Sequence, residues 1–330
     1  MTTWIGFKSC NDTGLHIPMQ MIESSHWRLW LEPGQGMQWQ AAAVRQDDAW
    51  VMVVPDCRQQ STKTGSTFDD HRAGQSEDSP LPAANFHMLP YSNRIRDGKF
   101  EFEGKSFQLD KADSHAIHGA LRKQPWKVLE QSANSLTCHI DTRELPSVNW
   151  PWPMSSNLTY KLDGKRLLAT MTLDNIGNSN MPAGMGWHPY FIRKIKGASP
   201  VLTLPVDGVF PAAAGEILPS GAAEALPAEL DFRYPRALDP NQRIDCCLSG
   251  LNGDVRIDWP DAALALNMHC SELCRYLVFF NPNMPHFAVE PVTNATDAFN
   301  LEQRGIAAGI RVLAPGESLS ASMELLLETN

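Results

Sequence analysis

The chain has 330 residues, 43% of them hydrophobic and 20% charged, which allows a substantial core and argues against wholesale disorder. Its 28 basic and 37 acidic side chains leave a formal charge of −9, which repels phosphate backbones and argues against nucleic acid as the main partner. A small neutral ligand is not excluded by that charge.

At the N-terminus, residues Met1 to Cys10 offer no basic segment followed by an apolar stretch, and no run elsewhere reaches bilayer-spanning length. The expectation is a soluble, cytoplasmic protein with no membrane partner. Cys10, Cys57, Cys138, Cys246, Cys247, Cys270 and Cys274 are odd in number and form no CxxC pair, a pattern of reduced thiols rather than of a disulfide frame. Cys270 and Cys274 are the plausible local pair and read as structural. Residues 57–80, crowded with Ser, Thr, Asp and Gln, read as a loop.

Pro90-Tyr91-Ser92-Asn93-Arg94-Ile95-Arg96 is the first stretch with chemical content. On a strand, Arg94 and Arg96 share a face opposite Ile95. A guanidinium beside the Asn93 amide can fork hydrogen bonds to vicinal hydroxyls or to one anionic group; the plain alternative is a solvent-facing strand with ordinary arginines. His115-Ala116-Ile117-His118-Gly119 follows. Gly119 permits a sharp turn or the close approach of a ligand. Two histidines three apart also suit a metal on a helix face, but Gly119 and Pro125 oppose a sustained helix and no Cys or carboxylate cluster completes a ligand set, so no metal is expected. His115 reads as a hydrogen-bonded core residue.

Strand signals dominate the rest. Leu158, Tyr160 and Leu162 alternate with polar neighbours, and Asp163-Gly164 supplies a hairpin turn. Residues 211–230, rich in Ala, Pro and Gly, read as a second loop. Leu264, Leu266 and Met268 repeat the period of two. Tyr276 to Phe280 is a continuous apolar run, as in a strand buried on both faces. Pro315-Gly316 turns into the alternating stretch Ser318 to Leu325. The reading is all-β, large sheets packed face to face, in a single domain spanning 1–330.

Two ionisable residues stand immediately before prolines: His188 in Gly186-Trp187-His188-Pro189-Tyr190-Phe191, and Glu290 in Phe287-Ala288-Val289-Glu290-Pro291. Proline holds the preceding residue extended, and an imidazole and a carboxylate aimed in this way can move protons in opposite directions around one substrate.

Asn93-Arg94-Ile95, His118-Gly119, His188-Pro189-Tyr190-Phe191 and Glu290-Pro291 with Phe299-Asn300 occur in the order seen in the aldose 1-epimerase (galactose mutarotase-like) family. The resemblance extends to the closing Val312-Leu313-Ala314-Pro315-Gly316-Glu317 turn and covers nearly the whole chain. It implies a β-supersandwich fold and interconversion of the α and β anomers of a free aldose. By the same resemblance His188 matches the general acid and Glu290 the general base, Arg94 and His118 match residues that bind sugar oxygens, and Asp245 resembles a substrate-binding aspartate. The chain departs from galactose mutarotases at Ile192-Arg193, where they usually have Asn-Leu, and at Ala120, where they have a second glycine. These departures leave the proton-transfer pair intact and bear on which sugar is accepted.

Anomer exchange needs one proton to leave the anomeric hydroxyl while another reaches the ring oxygen, and an imidazolium and a carboxylate on opposite sides of a monosaccharide suffice. No metal, redox cofactor or nucleotide is required. Aromatic rings near the motifs, Trp126, Trp187, Tyr190 and Phe280, are candidates for stacking on the sugar or for ordinary core packing. Alternatives are a hexose-6-phosphate mutarotase, with Arg94, Arg96 and Arg122-Lys123 receiving the phosphate, and a non-catalytic carbohydrate-binding protein on the same fold. The chain carries no serine-nucleophile elbow, P-loop or dinucleotide fingerprint.

Overall fold

The computed structural model describes residues 17–59, 81–110 and 115–329. Cys10 and residues 60–80 of the first expected loop lie outside them.

Alternation in the sequence becomes two-faced sheet. In the strand Met154–Asp163, Leu158, Tyr160 and Leu162 are fully buried while their neighbours reach solvent. The chain turns at Gly164 (φ +56°) into Arg166–Asn175, with Asp163 opposite Arg166 and Leu158 opposite Met171. This hairpin lies within a nine-stranded antiparallel sheet that also holds Leu264–Cys270 beside the long strand Ser318–Thr329.

A second sheet of eight strands carries the segments of chemical interest. Ile244–Ser249, Tyr276–Asn281, His286–Val292, Gly186–Trp187 and His87–Met88 are neighbours in that order, and Tyr190–Ile192 also pairs with His286–Val292. Side chains on successive strand residues point to opposite faces. Leu277, Phe279, Phe287, Val289 and Trp187 therefore face one way, into the larger core with Leu158, Tyr160 and Met171 of the nine-stranded sheet. Val278, Ala288, Val292, Cys247 and Tyr190 face the other way, into a smaller cluster completed by Ala298 and Leu301 of the helix Ala298–Gln303. The middle of the apolar run Tyr276 to Phe280, Leu277 to Phe279, is thus buried on both faces, while Tyr276 and Phe280 at its ends are partly exposed. Each large apolar side chain fully removed from water contributes about 1.5–3 kcal/mol.

The architecture is all-β, built of large antiparallel sheets. Two local expectations need correction. Arg94 and Arg96 do not share a strand face: Asn93 has φ +50° and the chain enters a 3-10 turn over Arg96–Gly98. His115 is hydrogen-bonded but only half-buried, its Nδ1 accepting the Asp97 N–H at 2.9 Å in a turn. The six described cysteines are free thiols, and burial pushes Cys57 and Cys138 up to about 12. Among the described residues, no helix is long and apolar enough to cross a membrane.

Candidate active site

Glu290 sits on the strand His286–Val292, directly opposite Val278 of its neighbour. Parity decides its direction: Phe287 and Val289 take the larger core, so Ala288, Glu290 and Val292 face the other side. His188 arrives from the next strand. Gly186 pairs with both Val292 and Met88; the His188 N–H then donates to the Phe86 carbonyl at 3.0 Å, and the Tyr190 N–H to that of Ala84 at 2.9 Å. Pro189, which has no N–H, stands between these two bonds and sacrifices none.

The result is a direct contact. His188 Nε2 lies 3.1 Å from Glu290 Oε1, with the two side chains 0% and 1% exposed. The imidazole is gripped by rings, with centroids at 4.4 Å from Phe86, 4.5 Å from Tyr190 and 5.1 Å from His118. The expected arrangement, an imidazole and a carboxylate on opposite sides of a monosaccharide, is corrected: the two groups stand side by side.

Beside Glu290 opens a pocket walled by Asn93, Arg94, Asp245, Cys247 and Thr296. Asp245 and Cys247 are two apart on Ile244–Ser249 and share a face, and Asp245 stands opposite the partly exposed Phe280. Burial pushes the Cys247 thiol up to about 12 despite hydrogen bonding with Thr296, which removes thiolate chemistry from this wall. Behind Tyr190, burial and then Arg193 hold His286 at about 4, so that ring is neutral at physiological pH.

His118 is set by a turn. Its φ is +66° and that of Gly119 is +71°; a Cβ on Gly119 would stand 2.3 Å from the Leu89 carbonyl oxygen. The His118 N–H donates to the Asn93 carbonyl at 2.7 Å, tying two of the motifs together. Non-glycine residues in the left-handed region cost roughly 1–2 kcal/mol each, and Asn93, His118 and Asp297 (φ +56°) are all in this neighbourhood. Such strain concentrates where function requires it.

The fold therefore gathers His188, Glu290, Arg94, Asn93, His118 and Asp245 in one region, although their motifs are far apart in the chain. Trp187 is the correction among the expected sugar contacts. It is fully buried in the larger core, because adjacent residues on an extended segment point opposite ways and His188 takes the other face. Trp126 is likewise in that core. Tyr190 packs on the His188 ring and does not line the pocket. Sequence reading overlooked Phe86, Cys247 and Thr296. Cys247 was within reach of it, two residues beyond Asp245, whereas Phe86 and Thr296 join the site only through sheet pairing and carry no local signal. Among the described residues, no group of three or more His, Cys, Asp or Glu is placed to hold a metal ion.

A family model described as aldose 1-epimerase matches residues 67–326. The Escherichia coli (strain K12) protein YphB is 28% identical over 274 residues, which cover 78% of this chain and 88% of that protein. Among solved structures, a galactose mutarotase-like protein from Clostridium acetobutylicum superposes with a TM-score of 0.78 at 19% identity, over 95% of this chain and 96% of its own. The galactose 1-epimerase from Lactobacillus acidophilus NCFM does so with a TM-score of 0.74 at 13% identity, over 98% of each chain. At those identities the structural likeness speaks for the fold alone.

Proposed function

We propose, from the premise that the chain belongs to the aldose 1-epimerase family, that it interconverts the α and β anomers of a free aldose by general acid–base catalysis. The observation that carries this reading is the 3.1 Å contact between His188 Nε2 and Glu290 Oε1, buried beside a pocket lined by Asn93, Arg94 and Asp245. Glu290 takes the proton of the anomeric hydroxyl while protonated His188 delivers one to the ring oxygen. The bond between the anomeric carbon and the ring oxygen breaks, and the open-chain aldehyde forms. Rotation about the neighbouring carbon–carbon bond presents the other face of the carbonyl. Closure then returns a proton from Glu290 to the new anomeric hydroxyl and one from the ring-forming hydroxyl to His188. No atom is gained or lost over the cycle.

Arg94, Asn93, His118 and Asp245 hold the remaining oxygens, and Phe280 offers an apolar face beside Asp245. Each well-placed proton-transfer group contributes about 10²–10⁴ in rate. A phosphorylated sugar fits less well. Arg96 is engaged by Asp297, the Arg122 guanidinium lies over the Phe86 ring and lines a different pocket, and the Asp245 and Glu290 carboxylates both border the pocket that Arg94 lines.

The experiment is anomer relaxation, followed by polarimetry or NMR over a panel of free aldoses and their 6-phosphates. Faster relaxation of a free aldose supports the proposal. Sugar binding without acceleration points instead to a non-catalytic carbohydrate-binding protein.

A further inference from the structure

The Ser92–Arg96 stretch lies outside any strand ladder, so other groups must satisfy its backbone and fix where Arg94 points. Much of that support comes from the chain just beyond Glu290. The Ser92 N–H donates to Asn294 Oδ1 at 3.0 Å, and the Ser92 hydroxyl to the Asn294 carbonyl at 2.7 Å. On the far side of Arg94, the Ile95 N–H donates to the His115 carbonyl at 2.8 Å, and Asp297 supplies two further bonds. The Asp297 N–H donates to the Arg94 carbonyl at 2.8 Å, and Asp297 Oδ1 accepts the Arg96 N–H at 2.8 Å. The carboxylate is itself braced by Asn300 Nδ2 at 2.7 Å and by Arg96 Nε at 3.5 Å, and Asp297 is 1% exposed.

We propose that Asp297 is a positioning residue that holds Arg94 at the pocket wall and thereby sets affinity for the sugar. This rests on the reading of Arg94 as a sugar-binding group. Asp297 neither lines the pocket nor pairs with His188 or Glu290 in the hydrogen-bond and ion-pair geometry, so it acts on binding and leaves proton transfer alone. A substitution that frees the Ser92–Arg96 stretch raises KM and spares kcat.

The test is steady-state kinetics on an aldose that the wild-type protein relaxes. Asp297→Ala should raise KM about tenfold, equivalent to about 1.4 kcal/mol of lost binding, with kcat and its pH profile unchanged. Asp297→Asn, whose amide oxygen can still accept the Arg96 N–H, should recover most of that affinity. In an Arg94→Ala background, Asp297→Ala should add little further loss, because its effect passes through the missing guanidinium. An unchanged KM, a fall in kcat at constant KM, or full additivity with Arg94→Ala would overturn the inference. Should Asp297→Ala not fold, Asp297→Ser, with its oxygen on a shorter arm, is read by the same cycle. A wild-type protein that relaxes no aldose sinks the proposed function and this inference with it, whereas an active wild type with an unresponsive KM sinks only the inference.

Discussion

His188 Nε2 and Glu290 Oε1 stand at ion-pair distance, 3.1 Å apart and sealed from water. Removing one member of a buried pair leaves the other uncompensated, at a cost of about 3–5 kcal/mol, so the informative substitutions are those that keep shape. Glu290→Gln and His188→Asn should each lower kcat by about 10²–10⁴ while the far-UV circular dichroism stays native. Near-wild-type relaxation in either variant rejects the assigned roles.

Arg94 borders the pocket beside Glu290 but lies outside the ring cluster that grips His188. Arg94→Ala should therefore weaken binding, with KM raised about tenfold or more and kcat little affected. Initial rates over a range of sugar concentrations decide it. An unchanged KM contradicts the role.

Trp187 neighbours His188 in sequence and faces the opposite way, into the larger core. Trp187→Phe should lower unfolding stability by about 1–3 kcal/mol and leave KM where it was. Urea unfolding read beside the kinetics separates the two. A raised KM at unchanged stability returns Trp187 to the sugar.

His87 carries a pH dependence that owes nothing to catalysis. Its Nδ1 meets the Gly36 carbonyl, its Nε2 meets the Tyr160 hydroxyl, and that hydroxyl also accepts the Trp39 indole N–H at 2.7 Å. This network suits a neutral ring that donates from Nδ1 and accepts at Nε2. Burial holds His87 at about 4, against an ordinary 6.5. The unfolded chain therefore binds the proton first as pH falls. Stability is fully present above about 6.5, declines through the interval, and levels off below about 4, a loss of roughly 3 kcal/mol. His286, also held near 4 by burial and Arg193, contributes a second share. His87→Gln should remove about half of the acid slope between pH 7 and 4.5, measured as the shift in urea midpoint. An unaltered slope would exclude His87 as a source.

Much of the sheet was legible in the sequence. Leu158, Tyr160 and Leu162 announce a half-buried strand because one face of the sheet meets core and the other meets solvent, and only a period of two serves both. The continuous run Tyr276 to Phe280 announces burial on both sides, because neither face meets solvent, and it holds for Leu277 to Phe279. Glu290 and His188 stood out because proline follows each. Arg94 and Arg96 do not share a strand face, since the chain turns at Arg96, whose N–H is held by the Asp297 carboxylate two hundred residues away in the chain.

Local composition determined periodicity, turns and the ionisable groups held before prolines, since each depends on residues close together along the backbone. It could not determine which of two adjacent side chains, Trp187 or His188, reaches the site. It put the His188 imidazole and the Glu290 carboxylate on opposite sides of a substrate, whereas the structure stands them side by side. Those outcomes depend on Gly186 pairing with Val292. A shift of one residue in that pairing would turn every side chain of the strand to the other face, and only the packed sheets hold the register.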